Sequence, residues 1–191
     1  MILPGFAGRH LVVIGLRASG KSSAGRLAAD RLGVGFTDLD ELTIQNIGGL
    51  SFLTVREAWD ATDEAAFRAA EAQALGRALS IGADDVLALG GGTAAFPDAR
   101  RVLSGAMDGD VVRGPVYLHA PPSVLGDRLR HEPGDRPSIT GEHPADEIAG
   151  LYDTRDAMYR ALAEAVVEVE HLSVDQTADR LVELWHQFAD R

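Results

Sequence analysis

Short apolar runs alternate with longer amphipathic stretches along the whole chain. Residues 10–14 (H-L-V-V-I) form the clearest apolar run, which is typical of a strand buried in a parallel sheet. Further strands are predicted at 35–37, 86–89, 116–119 and 166–169. Helices are predicted at 22–32, 41–47, 54–59, 63–79, 98–103, 122–130, 145–163 and 174–188. This alternation predicts an α/β fold, with helices on both faces of a parallel sheet.

The segment 15–22 reads G-L-R-A-S-G-K-S and matches the phosphate-loop pattern G-x-x-x-x-G-K-[ST] between a predicted strand and a predicted helix. Glycines let backbone N–H groups turn inward toward phosphate oxygens, and the helix N-terminus adds its positive dipole end. We expect Lys21 to reach the β- and γ-phosphates of ATP and Ser22 to ligate Mg²⁺. The expected nucleotide-binding residues are Gly15, Ala18, Ser19, Gly20, Lys21, Ser22 and Ser23.

Lys21 is the only lysine in the sequence, so the chain has no second lysine for the N-K-x-D motif with which Ras-like GTPases read guanine. Helicases and motor ATPases are usually larger than this chain. A small kinase is therefore the favoured class.

Two carboxylates follow the second predicted strand, in the sequence D-L-D. Ligands of open α/β sheets bind beyond the carboxyl ends of the strands. Alternation along a strand would direct Asp38 and Asp40 into one crevice, where one can hold Mg²⁺ through water and the other can accept a hydrogen bond from a substrate hydroxyl. Asp40 also suits the N-cap of the next helix, and the sequence leaves both roles open.

Three glycines follow the predicted strand at 86–89. Gly90, Gly91 and Gly92 would let a ligand touch the backbone directly, although a plain loop has the same composition. The segment 132–144 is rich in proline, glycine and charge, which predicts a mobile loop that carries Arg136. Arg68 and Arg160 lie on predicted helices, and spacing alone does not separate either of them from an ordinary surface charge.

The composition of the chain restricts the partners and the chemistry that the protein can have. The 191 residues suit a single domain, and 46% hydrophobic with 25% charged residues is ordinary for a globular protein. The formal charge of −11 disfavours nucleic acid and anionic membranes as partners, so an anionic ligand needs a local cationic pocket. Cysteine is absent, the six histidines show no metal-ligand spacing, and neither a membrane span nor a signal peptide is evident. We expect a cytoplasmic monomer.

The order of the motifs is specific. G-x-x-x-x-G-K-S is followed by D-x-D, F-R-x-x-E, L-G-G-G, R-P in the predicted loop, and R-x-x-x-Y-R-x-x-A. In this order the chain resembles the shikimate kinase family over about residues 11–185. The resemblance implies a three-layer α/β sandwich, a five-stranded parallel sheet of the nucleoside monophosphate kinase type, a mobile lid at about 132–144 and an acceptor-binding helical region at about 41–80. It also implies ATP and Mg²⁺ as cofactors, and shikimate as the acceptor.

The resemblance also implies a role for each motif residue. Lys21 looks like the phosphate lysine, Ser22 like the Mg²⁺ ligand and Asp38 like the aspartate that holds Mg²⁺ through a water molecule. Asp40 looks like the aspartate that binds the acceptor hydroxyls. The remaining counterparts are Arg68 and Arg160 for the acceptor carboxylate, Gly90, Gly91 and Gly92 for backbone contacts, Glu71 as the partner of the helix arginine, and Arg136 as the catalytic lid arginine on the ATP phosphates.

The chain departs from the family pattern on the nucleotide side. The lid sequence is R-P-S-I instead of R-P-L-L, and E-H-L-S-V-D stands where an adenine-side arginine is common. Arg128, Arg130 or His171 can supply the adenine contact. A kinase for another small hydroxy acid such as gluconate, and a catalytically silent nucleotide-binding module, are the alternative functions.

Overall fold

The computed structural model describes residues 8–48, 54–108, 112–132 and 143–189. These residues form one five-stranded parallel sheet in the order β2-β3-β1-β4-β5, which confirms the predicted fold class. The strands are β1 His10–Ile14, β2 Gly35–Asp38, β3 Asp85–Ala88, β4 Val112–His119 and β5 Ala165–Glu168. All five residues of β1 are buried, because this strand has neighbours on both sides and helices over it.

Each predicted helix is present, and every helix end lies within two residues of its prediction except the C-terminal end of the helix predicted at 98–103. The helices are α1 Lys21–Leu32, α2 Leu39–Gly48, α3 Val55–Asp60, α4 Glu64–Ala78, α5 Pro97–Asp108, α6 Pro122–His131, α7 Pro144–Leu162 and α8 Val174–Ala189. A single-turn 3₁₀ helix, Thr93–Ala95, precedes α5. Within the described ranges, no helix is both long and apolar enough to span a membrane.

Two elements extend beyond their predicted ends for reasons of packing. Helix α5 continues through Gly105, a residue that weakens helix interiors, because Ala106 and Met107 pack against the core. Strand β4 begins at Val112 instead of 116, although its sequence includes Gly114 and Pro115. The pairing of β4 with β1 shifts register in this part of the strand.

The helices α2, α3 and α4 have a small apolar cluster of their own. It consists of Val55, Ala58 and Phe67, with Ile44, Ile47 and Trp59 packed against it. The cluster is separate from the main core over the sheet. Its helices form most of the described part of the predicted helical region at about 41–80, and they carry Asp40 and Arg68.

Candidate active site

The phosphate loop connects β1 to α1. Ala18 (φ 60°) and Gly20 (φ 88°) adopt the left-handed conformation, which glycine reaches without strain and alanine rarely adopts. Turns of this kind point successive N–H groups inward and form an anion-binding hollow. Helix α1 begins directly after Gly20, so the positive end of its dipole adds to the hollow. The loop residues fit the phosphates of a nucleoside triphosphate.

Lys21 lies over this loop. Its side chain is buried, and Nζ donates to the carbonyl oxygen of Leu16 (2.9 Å), with Ser19 Oγ at 3.5 Å. The ammonium group is therefore folded back across the hollow, where it can neutralise phosphate charge.

Ser22 and Asp38 are joined directly. Ser22 Oγ donates to Asp38 Oδ2 (2.6 Å), which brings the start of α1 to the end of β2. Hard oxygen ligands from one hydroxyl and one carboxylate suit Mg²⁺, which takes its remaining ligands from water and substrate phosphates. Within the described ranges, no cluster of three or more histidine, aspartate or glutamate side chains offers an alternative metal site.

Asp38, and not Asp40, caps the helix that follows. Helix α2 begins at Leu39, two residues before the predicted start, and Asp38 Oδ1 accepts a hydrogen bond from the backbone N–H of Asp40 (3.0 Å). The N-cap interpretation of Asp40 is therefore wrong. The argument from strand alternation also fails, because β2 ends at Asp38 and Asp40 lies in the first helical turn.

The Asp40 carboxylate instead approaches the glycine triplet. A Cβ atom placed on Gly90 would lie only 2.7 Å from Asp40 Oδ1. A side chain at this position would displace the Asp40 carboxylate, so the observed approach of backbone and carboxylate depends on glycine. The structure thus brings together two candidate acceptor-site residues that are distant in sequence.

Arg68 is fixed next to the same triplet. Its Nη1 donates to Glu71 Oε2 (3.0 Å), and its guanidinium carbon lies 3.9 Å from the centre of the Phe96 ring. The predicted pairing of Arg68 with Glu71 is thus present in the structure. Since Glu71 is buried, this ion pair is well shielded from water.

Helix α7 presents Arg155 to the triplet, and not the predicted Arg160. Arg155 Nη1 donates to the Gly91 carbonyl oxygen (2.9 Å), and the Tyr159 hydroxyl donates to the same oxygen (2.8 Å). A Cβ on Gly92 would lie 3.2 Å from Arg155 Nη1. Residues four apart share one face of a helix, which explains why Arg155 and Tyr159 act together.

Arg160 lies on a different face of α7. Its Nε donates to Asp156 Oδ2 (2.9 Å), and its side chain is 41% exposed, with Glu168 nearby at 3.9 Å. The hydrogen bond to Asp156 raises the pKa of Arg160. A rotation of about 100° per residue separates positions 155 and 160 by about 140° around the axis. The geometry therefore favours Arg155 over Arg160 as an acceptor-site residue.

Arg17 adds a further cation that sequence reasoning missed. Burial lowers the pKa of this loop arginine, and the charges of Arg155, Arg68 and Arg56 lower it further. Glu147, whose carboxylate lies 3.7 Å from Arg17 Nη1, acts in the opposite direction. Cations from the loop, α3, α4 and α7 thus influence one another, although the chain as a whole is acidic. An anionic ligand would relieve their mutual repulsion.

Arg128 lies against the other side of the loop. Its Nη1 donates to the carbonyl oxygen of Ala18 (3.2 Å) and its Nη2 to that of Val169 (2.8 Å), so it joins the phosphate loop to the end of β5. Arg130 pairs with Asp127 on the surface of α6, and the ring of His171 is 87% exposed. Of the three candidates for the adenine side, Arg128 is the one in contact with the loop.

Comparison with known proteins decides the family. The model of the shikimate kinase family matches residues 17–185. A shikimate kinase of Oleidesulfovibrio alaskensis is 38% identical over 162 residues, which cover 83% of this chain and 87% of the relative.

The chain belongs to the shikimate kinase family.

Solved structures agree with this assignment. A shikimate kinase from Acinetobacter baumannii in complex with shikimate superposes with a TM-score of 0.79 at 26% identity and covers 95% of both chains. A gluconokinase from Sinorhizobium meliloti has the same fold, with a TM-score of 0.65 at 24% identity over 97% of this chain and 95% of its own. Shikimate kinases use ATP with Mg²⁺, and the loop, Ser22 and Asp38 fit this pair of cofactors.

Most of the predicted lid lies outside the residues that the structure describes. Arg136 and residues 133–142 of the predicted lid are not among the described residues, so the role of Arg136 stays a prediction. Helix α7, which begins at Pro144, leads from this segment to Arg155.

Proposed function

We propose that this chain transfers the γ-phosphoryl group of ATP to the 3-hydroxyl of shikimate. The observation that carries the proposal is the placement of Asp40, Arg68 and Arg155 around the glycine triplet, at the same edge of the sheet as the phosphate loop. A carboxylate, two arginines and open backbone are complementary to a small hydroxy acid. This transfer is a step of the shikimate pathway toward chorismate and the aromatic amino acids.

Two arginines bind the carboxylate of the acceptor. Arg68 and Arg155 come from α4 and α7 and grip the acceptor carboxylate from two sides. Arg155 takes the place in this pair that the family resemblance gave to Arg160. Gly90, Gly91 and Gly92 offer backbone contacts to the ring of the acceptor, and the absence of side chains leaves room for it.

Asp40 holds the hydroxyl that reacts. Its carboxylate accepts a hydrogen bond from this hydroxyl and takes the proton as the oxygen attacks phosphorus and the bond to the leaving ADP oxygen breaks. Lys21 neutralises charge on the phosphates during transfer. Ser22 and Asp38 would hold Mg²⁺, which would supply positive charge to neutralise the phosphates during transfer. The role of Arg136 on the ATP phosphates stays a prediction from the resemblance.

We also propose that the protein acts as a monomer. The substrates ATP and shikimate are metabolites of the cytoplasm, and we assign the protein to that compartment.

A coupled ADP-release assay with shikimate, quinate and gluconate tests the proposal. We expect kcat/KM for shikimate to exceed the other two by about 100-fold, because the site binds particular hydroxyls with buried polar groups. A higher kcat/KM with gluconate would move the chain to the alternative kinase class. ADP release that no acceptor stimulates would favour the silent nucleotide-binding module.

A further inference from the structure

Thr93 lies where the glycine triplet turns into the 3₁₀ helix Thr93–Ala95. Its backbone N–H donates to the carbonyl oxygen of Gly90 (3.1 Å), and its side chain is fully buried. The backbone bond and the burial together fix the direction of its hydroxyl group. None of the motifs in the sequence includes this residue.

Three side-chain oxygens meet on one face of Gly90. A Cβ atom at this position would lie 2.7 Å from Asp40 Oδ1, 2.8 Å from Thr93 Oγ1 and 2.9 Å from Glu71 Oε1. The oxygens come from α2, the 3₁₀ helix and α4. The Thr93 hydroxyl therefore lies beside both the acceptor aspartate and the glutamate that binds Arg68.

The single hydroxyl hydrogen of Thr93 goes to the glutamate. Thr93 Oγ1 donates to Glu71 Oε1 (2.6 Å), while Glu71 Oε2 accepts from Arg68 Nη1 (3.0 Å). Each carboxylate oxygen of Glu71 thus has a donor, and the side chain is only 3% exposed. The hydroxyl and the guanidinium hold the carboxylate from opposite ends.

Loss of this hydroxyl would release the carboxylate. The terminal torsion of a glutamate is broad, so one hydrogen bond fewer lets the carboxylate turn. A buried oxygen without its donor also costs free energy, which favours rearrangement over the observed geometry. Arg68 would follow Glu71, because the guanidinium has its shortest polar contact with this residue.

We propose that Thr93 is a positioning residue of the acceptor site: its hydroxyl orients Glu71, and Glu71 holds Arg68 in the direction that grips the acceptor carboxylate. This inference rests on the proposed function, because it takes Arg68 as an acceptor contact. Arg155 is held independently by Gly91, so Thr93 controls one of the two arginines and leaves the other in place.

The test compares Thr93→Val with Thr93→Ser. Valine keeps the shape and removes the hydroxyl, whereas serine keeps the hydroxyl. We expect Thr93→Val to raise the KM for shikimate about 10-fold and to change the KM for ATP less than about 2-fold, with Thr93→Ser close to the unchanged protein. Thr177→Val is the matched control, because Thr177 in α8 is also buried but donates to the carbonyl oxygen of Ser173, the residue just before that helix (2.9 Å).

A coupled variant adds a second readout. In a Glu71→Gln background, Thr93→Val should raise the KM for shikimate no further, because Thr93 acts on Arg68 only through the Glu71 carboxylate, which this background lacks. Additive increases, equal increases in both KM values, or failure of serine to restore binding would overturn the positioning role. If Thr93→Val does not fold, Thr93→Ala replaces it, and loss of folding in both would also overturn the proposal.

Arg68→Gln separates this inference from the proposed function. If Arg68→Gln raises the KM for shikimate and Thr93→Val does not, only the positioning role of Thr93 fails. If neither substitution changes it, the assignment of the acceptor site itself is contradicted.

Discussion

Arg155 donates a hydrogen bond to the carbonyl oxygen of Gly91 across 64 positions of sequence. The contact ties α7 to the glycine triplet that follows β3. Tyr159 donates to the same oxygen, so the two lone pairs of that carbonyl are both used. This shared carbonyl is what selects Arg155 from the arginines of α7 as the second acceptor contact.

Substitution of the two α7 arginines tests that selection. Arg155→Gln removes a charge-assisted contact of about 1.5–3 kcal/mol, so the KM for shikimate should rise by about 10- to 150-fold while the KM for ATP changes little. Arg160→Gln removes a surface ion pair with Asp156 and should leave both values near those of the unchanged enzyme. A larger rise in the KM for shikimate in Arg160→Gln than in Arg155→Gln would show that Arg160 is the acceptor contact on α7.

Lys21→Ala should abolish phosphoryl transfer. The lysine lies over the phosphate loop, and its charge acts where negative charge must be neutralised, so kcat should fall by about 100-fold or more. Lys21→Arg should not restore activity, because a planar guanidinium does not replace a compact ammonium group there. Circular dichroism checks that both variants fold. Activity above a tenth of the original value in Lys21→Ala would contradict the role of this loop.

Asp40→Asn and Asp38→Asn form a matched pair, since they change neighbouring carboxylates in the same way. Asp40→Asn should lower kcat by about 10²- to 10⁴-fold, the range for a lost general base or orienting group. Its Mg²⁺ requirement should not change. Asp38→Asn should raise the Mg²⁺ concentration needed for half-maximal rate, while α2 stays capped, because asparagine caps about as well as aspartate. If Asp38→Asn lowered kcat and Asp40→Asn changed the Mg²⁺ requirement instead, the roles assigned to the two carboxylates would have to be exchanged.

Arg128→Gln should weaken the binding of ATP more than that of shikimate. The guanidinium holds the carbonyl oxygens of Ala18 and Val169, and its loss loosens the loop on the nucleotide side. We expect an increase of about 10-fold in the Kd for ATP, measured by calorimetry. Arg130→Gln is the control, because Arg130 pairs with Asp127 in water. Equal effects of the two substitutions would show that neither contacts the nucleotide side specifically.

Local patterns made the fold and the phosphate loop predictable. The β1 run, the glycines of the loop and the helix after it are neighbours in sequence, so their signal does not depend on the rest of the chain. The extension of α5 past Gly105 depends on contacts with the core, which sequence alone does not give.

The acceptor site was predictable only in part. The motif R-x-x-x-Y-R names two arginines, and their faces on the helix separate them: Arg155 is four residues from Tyr159, and Arg160 is not. This difference in helical spacing can be read from the sequence, but the sequence analysis did not use it to choose between the two arginines. Thr93 and Arg17 carried no such signal, because their positions matter only once distant elements meet on Gly90 and around the loop.

The most direct measurement of the central claim is phosphorus NMR of a reaction that contains the enzyme, shikimate, ATP and Mg²⁺. The proposed function predicts equal amounts of ADP and one phosphomonoester, whose phosphorus couples to the proton on carbon 3 of the shikimate ring. Inorganic phosphate in place of the ester, or an ester at a different hydroxyl, would contradict it.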